Sequence, residues 1–160
     1  MLRLILSALG LTVVTVVIHG VGTMAATGRA AGRWAKQGSA HRRLATELLM
    51  IQLVGTLLLF HLAEAIVWAL FYRSIGTLPD FESAAYFSLT SYTTVGYGDV
   101  VLPEPWRLLG PLEATVGVLM LGWSTGVLVA VIGTVYRRLF GPAGGDVGSA
   151  GNGGDVRARR

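Results

Sequence analysis

Three stretches of this chain, at about residues 4–26, 44–72 and 108–136, are almost unbroken runs of apolar residues. Each exceeds the roughly 20 residues that a helix needs to cross a bilayer. In hydrocarbon every backbone N–H and C=O must be satisfied inside the protein, so such runs read as transmembrane helices. A fourth apolar stretch, residues 81–92, is too short to span and reads as a helix that enters the membrane and turns back. The composition agrees, since a mean hydropathy of +0.60 with only 14% charged residues is that of a membrane protein. Cysteine is absent, which excludes a disulfide framework and any cysteine-ligated metal. No internal repeat is evident.

The charges orient these spans. Arg29, Arg33, Lys36, Arg42 and Arg43 fall between the first two, and Arg137 and Arg138 follow the third. Between the second and third the sign reverses, with Asp80, Glu82, Asp99 and Glu104 against Arg73 and Arg107. The positive-inside rule then puts residues 27–43 and the C-terminus in the cytoplasm and the N-terminus outside. Trp68, Phe71, Tyr72 and Trp106 would form the outer aromatic belt, and Trp34, Tyr136 and Phe140 the inner one. Arg3 and the small pair Ala25–Ala26 resemble a signal-peptide pattern, but the apolar run is long for one, so the first span is read as a retained helix. The net charge of +4 sits in blocks beside apolar segments, which favours anionic lipid over nucleic acid as its partner. Twelve arginines against one lysine, with many Ala and Gly, fit a GC-rich bacterial genome. The glycine-rich end, residues 141–160, cannot bury enough apolar surface to offset its ordering and is expected to be a disordered tail.

Residues 93–99 read Thr-Thr-Val-Gly-Tyr-Gly-Asp, a polar, glycine-rich run directly after the short helix. Irregular backbone at membrane depth is tolerated only where it is buried in protein or lines a water-filled cavity. The run closely resembles the selectivity filter of the prokaryotic potassium channels with a two-span pore module, and that resemblance covers about residues 44–136. It implies an all-α membrane protein of three transmembrane helices plus a re-entrant pore helix and filter loop, assembled as a tetramer. The implied parts are an N-terminal helix (1–26), a basic cytoplasmic loop (27–43), a pore domain (44–140) and the tail. Within the pore domain come an outer helix (44–72), the pore helix (81–92), the filter (93–99) and an inner helix (108–136). The resemblance further implies that carbonyls of Thr94, Val95, Gly96 and Tyr97, with the Thr94 hydroxyl, replace the hydration shell of K+. Gly96 and Gly98 would allow successive carbonyls to point one way. A ring needs several strands and the chain has one filter, so the channel is expected to join three identical subunits to this one.

The surroundings carry further expectations. Asp80 after Pro79, with Glu82 in the first turn, is a helix-start signal, and the C-terminal end of that helix would aim partial negative charge at the pore. One branch of the family braces its filter with a glutamate four residues before the filter threonine, where this chain has Thr90. Thr90, Thr93, Tyr86 and Asp99 are therefore candidate supports, with Tyr86 able to bond Asp99. His61 and Glu64 share a face of the second span. Either they are satisfied by an interhelical pair or an interfacial neighbour, with Arg107 or Trp106 as candidate partners, or Glu64 reaches the pore helix and supplies the brace that Thr90 does not. His19 reads as a packed residue and Glu113 as an interface charge. In the third span Gly122 is a candidate gate hinge, or with Gly126 a close-packing face, and Ser124 and Thr125 are candidate cavity hydroxyls.

The function that follows is passive, potassium-selective conduction at the cell membrane, without cofactor and without catalysis. No span carries arginine at every third position, so no voltage sensor is expected. No nucleophile–histidine–acid set is present, and Gly96-x-Gly98 lacks the context of a phosphate loop. A weakly selective cation channel and a nonconducting subunit built on the pore fold are the other readings.

Overall fold

The computed structural model describes residues 1–35 and 42–140. Its four helices are α1 (Leu2–Ala35), α2 (Arg42–Ser74), α3 (Phe81–Tyr92) and α4 (Leu109–Phe140), and there is no strand among the described residues. The three long helices contain apolar segments of 29, 31 and 29 residues, each sufficient to cross a membrane. The 12 residues of α3 rise only about 18 Å, roughly half a bilayer.

Helix bounds differ from the hydropathy limits in one instructive place. The first helix does not stop at residue 26 but continues to Ala35, through Thr27, Gly28, Arg29 and Ala30. Arginine and alanine are good helix formers, so charge ends the apolar span without ending the helix. Much of the expected loop 27–43 is thereby helical, Arg42 and Arg43 open α2, and residues 36–41, with Lys36, lie outside the described residues, as does the tail 141–160.

Two local devices set the placement of α3. Helix α2 ends at Ser74 and the chain turns through Gly76, whose φ of +70° is open to glycine, while the Thr77 amide and hydroxyl both bond the Tyr72 carbonyl at 3.2 and 2.9 Å. Asp80 then caps α3, accepting from the Ser83 amide at 2.8 Å. The capping bonds from Ser83 hold the Asp80 carboxyl below the usual carboxylate range.

Helix α3 packs against both α2 and α4, and α1 lies against α2 and α4. The core between them contains Trp68, Tyr72, Phe87, Tyr92 and Leu109, with the small residues Ala65, Ala69 and Ala84 fully buried among them. In lipid, helices associate by close packing and interhelical hydrogen bonds, and small residues permit that approach. Trp68 and Tyr72 are therefore core residues with no exposed surface, not members of an outer belt. The Trp68 indole donates to Thr15 of α1 at 3.2 Å, and the Tyr72 ring meets Phe87 edge-on at 5.2 Å. Phe71, near the C-terminal end of α2, meets the Trp106 ring edge-on at 6.3 Å.

Candidate functional site

The loop 93–99 begins where α3 runs out of helix. Thr93 is its C-cap, with its amide bonded to Leu89 at 3.1 Å and its hydroxyl to the same carbonyl at 2.6 Å. The Thr94 amide then bonds the Ser91 carbonyl at 2.9 Å and the Gly96 amide bonds the Thr90 carbonyl at 3.0 Å. The last turn of α3 thus holds the loop through backbone bonds. The Thr90 hydroxyl turns back on the Phe87 carbonyl at 3.0 Å, and its backbone oxygen, not its side chain, reaches the loop.

Backbone angles across the loop alternate in sign. Thr94, Gly96 and Gly98 have φ of +63°, +50° and +79°, while Val95 and Tyr97 between them are not positive. Alternation of this kind turns successive peptide units so that like groups face one side, the geometry by which short loops surround an ion. For the glycines the left-handed region is open, but Thr94 has a Cβ and holds its angle at a cost of about 1–3 kcal/mol. The side chains of Val95 and Tyr97 stand exposed in the single chain. Tyr97 stacks on Tyr86 at 6.5 Å, and the Tyr86 hydroxyl donates to Asp99 at 2.7 Å. That bond holds the Asp99 carboxyl below its ordinary range and raises the Tyr86 hydroxyl.

This pair has a pH signature. Because Asp99 is depressed in the folded chain, its contribution is complete above the ordinary carboxylate range and is lost as pH falls through the depressed value. Tyr86→Phe removes the first cause of the depression, so the Asp99 titration followed by carboxyl NMR is expected to move up toward its ordinary position. An unmoved Asp99 titration would show that the Tyr86 hydroxyl does not stabilise the carboxylate.

Behind the loop lie two buried carboxylates, neither at an interface. Glu113 of α4 is fully buried, accepting from the Tyr72 hydroxyl at 2.7 Å and meeting the Ser88 hydroxyl, which also lies 2.6 Å from the Ala65 carbonyl. It therefore pins the middle of α3 to α2 and α4, a role its position near a span end did not disclose. Glu64 is also fully buried; it accepts from the Tyr92 hydroxyl at the end of α3 and lies 2.9 Å from His19 Nδ1 of α1. The carboxylate does reach the pore helix, at Tyr92 rather than near Thr90. Its other partner comes from the first helix rather than from Arg107 or Trp106.

The inner-helix candidates divide. Gly122 and Gly126 have no atom within 4 Å of a built Cβ, and Thr125 is exposed with its hydroxyl on the Leu121 carbonyl at 2.9 Å. Gly122 and Gly126 are thus not a packing face within this chain. Ser124 is a correction: it does not share the exposed side with Thr125 but is buried, bonded to His61 Nε2 at 2.9 Å and near His19 Nε2 at 3.2 Å. Neighbours on a helix differ by about 100°, so one of the two hydroxyls had to turn away. The close-packed glycine is Gly117, where a Cβ would come 2.0 Å from the Tyr92 carbonyl oxygen. A cleft of about 360 Å³ beside the loop is lined by Phe87, Thr94, Gly96, Val101, Arg107 and Pro111. His19, His61 and Glu64 are of metal-ligating type and lie within 4.8 Å of one another, but their polar atoms are already engaged in hydrogen bonds.

Two apolar spans bracketing a half-length helix and a loop of alternating backbone define a pore-loop membrane protein. Residues 49–134, just over half of the chain, match the family model described as an ion channel, and the chain belongs to that family. Helix α1 precedes the matched segment as an additional apolar helix. No curated protein and no solved structure matches the chain.

Proposed function

We propose that four copies of this chain form a potassium-selective channel in the cell membrane. The observation that carries the reading is the alternation of positive φ at Thr94, Gly96 and Gly98 within Thr-Val-Gly-Tyr-Gly, the backbone pattern that a stack of carbonyl rings requires. Carbonyls of Thr94, Val95, Gly96 and Tyr97, with the Thr94 hydroxyl, replace the water around K+, and Gly98 with Asp99 ends the filter. Exposure of Val95 and Tyr97 in the single chain supports assembly, because one strand cannot encircle an ion and these side chains then find cover against neighbours. The end of α3 adds partial negative charge beneath the filter. Gly122 and Thr125, on the exposed side of α4, border the cavity below, with Gly122 free to bend. The N-terminus is outside and the C-terminus inside, with the basic segment around Arg29 against anionic lipid. Conduction is passive and makes no use of a cofactor or of covalent chemistry.

Reversal potentials of the reconstituted chain in asymmetric potassium and sodium test this. The potential is expected to follow the potassium gradient. A potential that follows sodium as well makes it a weakly selective cation channel, and no current at all makes it a nonconducting subunit on the pore fold.

A further inference from the structure

Five side chains from four helices close a ring of hydrogen bonds behind the filter. Glu64 Oε1 lies 2.9 Å from His19 Nδ1, and His19 Nε2 lies 3.2 Å from the Ser124 hydroxyl. That hydroxyl is 2.9 Å from His61 Nε2, and His61 Nδ1 is 3.0 Å from the Tyr92 hydroxyl. The Tyr92 hydroxyl returns to Glu64 Oε2 and completes the circuit. His19 and Glu64 have no exposed surface, Tyr92 and Ser124 are buried, and His61 is partly so.

Each of the five links needs one hydrogen. With Glu64 as a carboxylate and both imidazoles neutral, the ring owns four, one each on His19, Ser124, His61 and Tyr92. However those four are arranged, one link is left with two lone pairs facing each other. A net negative charge also remains at membrane depth, where unpaired charge is expensive. A fifth hydrogen removes both faults, and a sixth would set two hydrogens against each other. We propose that the ring formed by His19, Ser124, His61, Tyr92 and Glu64 is a proton-binding site that holds a fifth hydrogen, one more than a Glu64 carboxylate and two neutral imidazoles leave it, shared among His19, His61 and Glu64, and so makes the support of the filter responsive to proton activity.

The titratable groups facing the site are His19 from α1, His61 and Glu64 from α2, and Tyr92 from α3. Helix α4 contributes Ser124, and carries Glu113 about three turns away, where Tyr72 and Ser88 occupy it. The readout is direct, because Tyr92 is the last residue of α3 and the filter loop follows at Thr93. When the proton leaves, one link opens and α1, α3 and α4 lose their common anchor. Separated side chains hold no such proton at neutral pH, so folding takes it up and stability falls as pH rises.

Glu64→Gln makes the decisive comparison. Its amide supplies the fifth hydrogen permanently and without charge, so every link stays satisfied while the site can no longer release a proton. In the full chain in detergent, the wild-type unfolding midpoint is expected to fall by about 5 °C or more on the alkaline side. In Glu64→Gln that fall is expected to be smaller by the share of the ring, while the acid limb, where imidazoles take up protons on unfolding, remains in both. Equal alkaline limbs in the two proteins, or a flat wild type, would overturn the proposal. A count on the wild type alone covers the case in which the variant fails to fold. By ¹⁵N NMR and infrared spectroscopy the ring nitrogens of His19 and His61 should carry three hydrogens, or two beside a protonated carboxyl. Two beside a carboxylate would overturn it, as would stabilisation by Zn²⁺ that Glu64→Gln abolishes, which would make the three residues a metal site. Only the consequence for conduction rests on the channel reading: potassium flux is expected to fall along the same alkaline limb. A chain with the proton count and stability profile but no flux keeps the proton site and loses the channel.

Discussion

Gly117→Ala is expected to lower the stability of the chain by about 3 kcal/mol, the upper end for overpacking a tight core, and, on the proposed channel reading, to abolish potassium flux. The new methyl would stand 2.0 Å from the Tyr92 carbonyl oxygen, a backbone atom that cannot rotate aside. Either α4 retreats or the end of α3 moves, and the loop 93–99 follows directly from that end. Gly122→Ala is the control, since nothing lies within 4 Å of its Cβ in the chain, and its unfolding midpoint should stay close to wild type. Thermal unfolding and liposome flux measure both effects, and a Gly117→Ala protein that conducts normally would show that the approach of α4 to Tyr92 is not required.

Replacing Glu113 carries the second large effect. Glu113→Ala removes the acceptor of the buried Tyr72 hydroxyl and a partner of Ser88, and leaves a void in the core. An unsatisfied buried group costs about 1–3 kcal/mol, so a loss of about 3 kcal/mol or more is expected once the void is included. Glu113→Gln should recover most of it. Its carbonyl can accept from Tyr72, and its amide can donate to Ser88 while the Ser88 hydroxyl donates to Ala65, which the short Ser88 contacts on both sides favour. Unfolding midpoints of the two variants decide this, and equal losses would mean that Glu113 acts by charge and not by its hydrogen bonds.

What could be read beforehand followed from strong local rules. Length and hydropathy gave the three spans, and Asp80 after Pro79 marked the start of α3. The loop was identified by resemblance, with Gly96 and Gly98 as its physical reason. The faces of the helices were another matter. A helix that is apolar all round carries no stripe to say which side packs, so the burial of Trp68 and Tyr72 was hidden. For the same reason Ser124 and Thr125 looked alike. Glu113 stood near a span end, where a charge ordinarily meets water, and only the arrival of Tyr72 and Ser88 from two other helices makes it a core residue. The hydrogen-bond partners of Glu64 come from residues 45 positions upstream and 28 downstream, which no helical spacing encodes. Gly117 is set apart from Gly122 and Gly126 only by the path of α3, which brings the Tyr92 carbonyl against it.

The additional helix changes how the pore segment should be regarded as a unit of inheritance. Residues 49–134 contain the loop 93–99, yet two of their buried polar groups, Glu64 and Ser124, look to His19 outside that segment, and Trp68 looks to Thr15. A pore segment transplanted without α1 would lose these partners together. A change at His19 would leave Glu64 and Ser124 each with one partner fewer, so the matched segment does not satisfy its own buried polar groups.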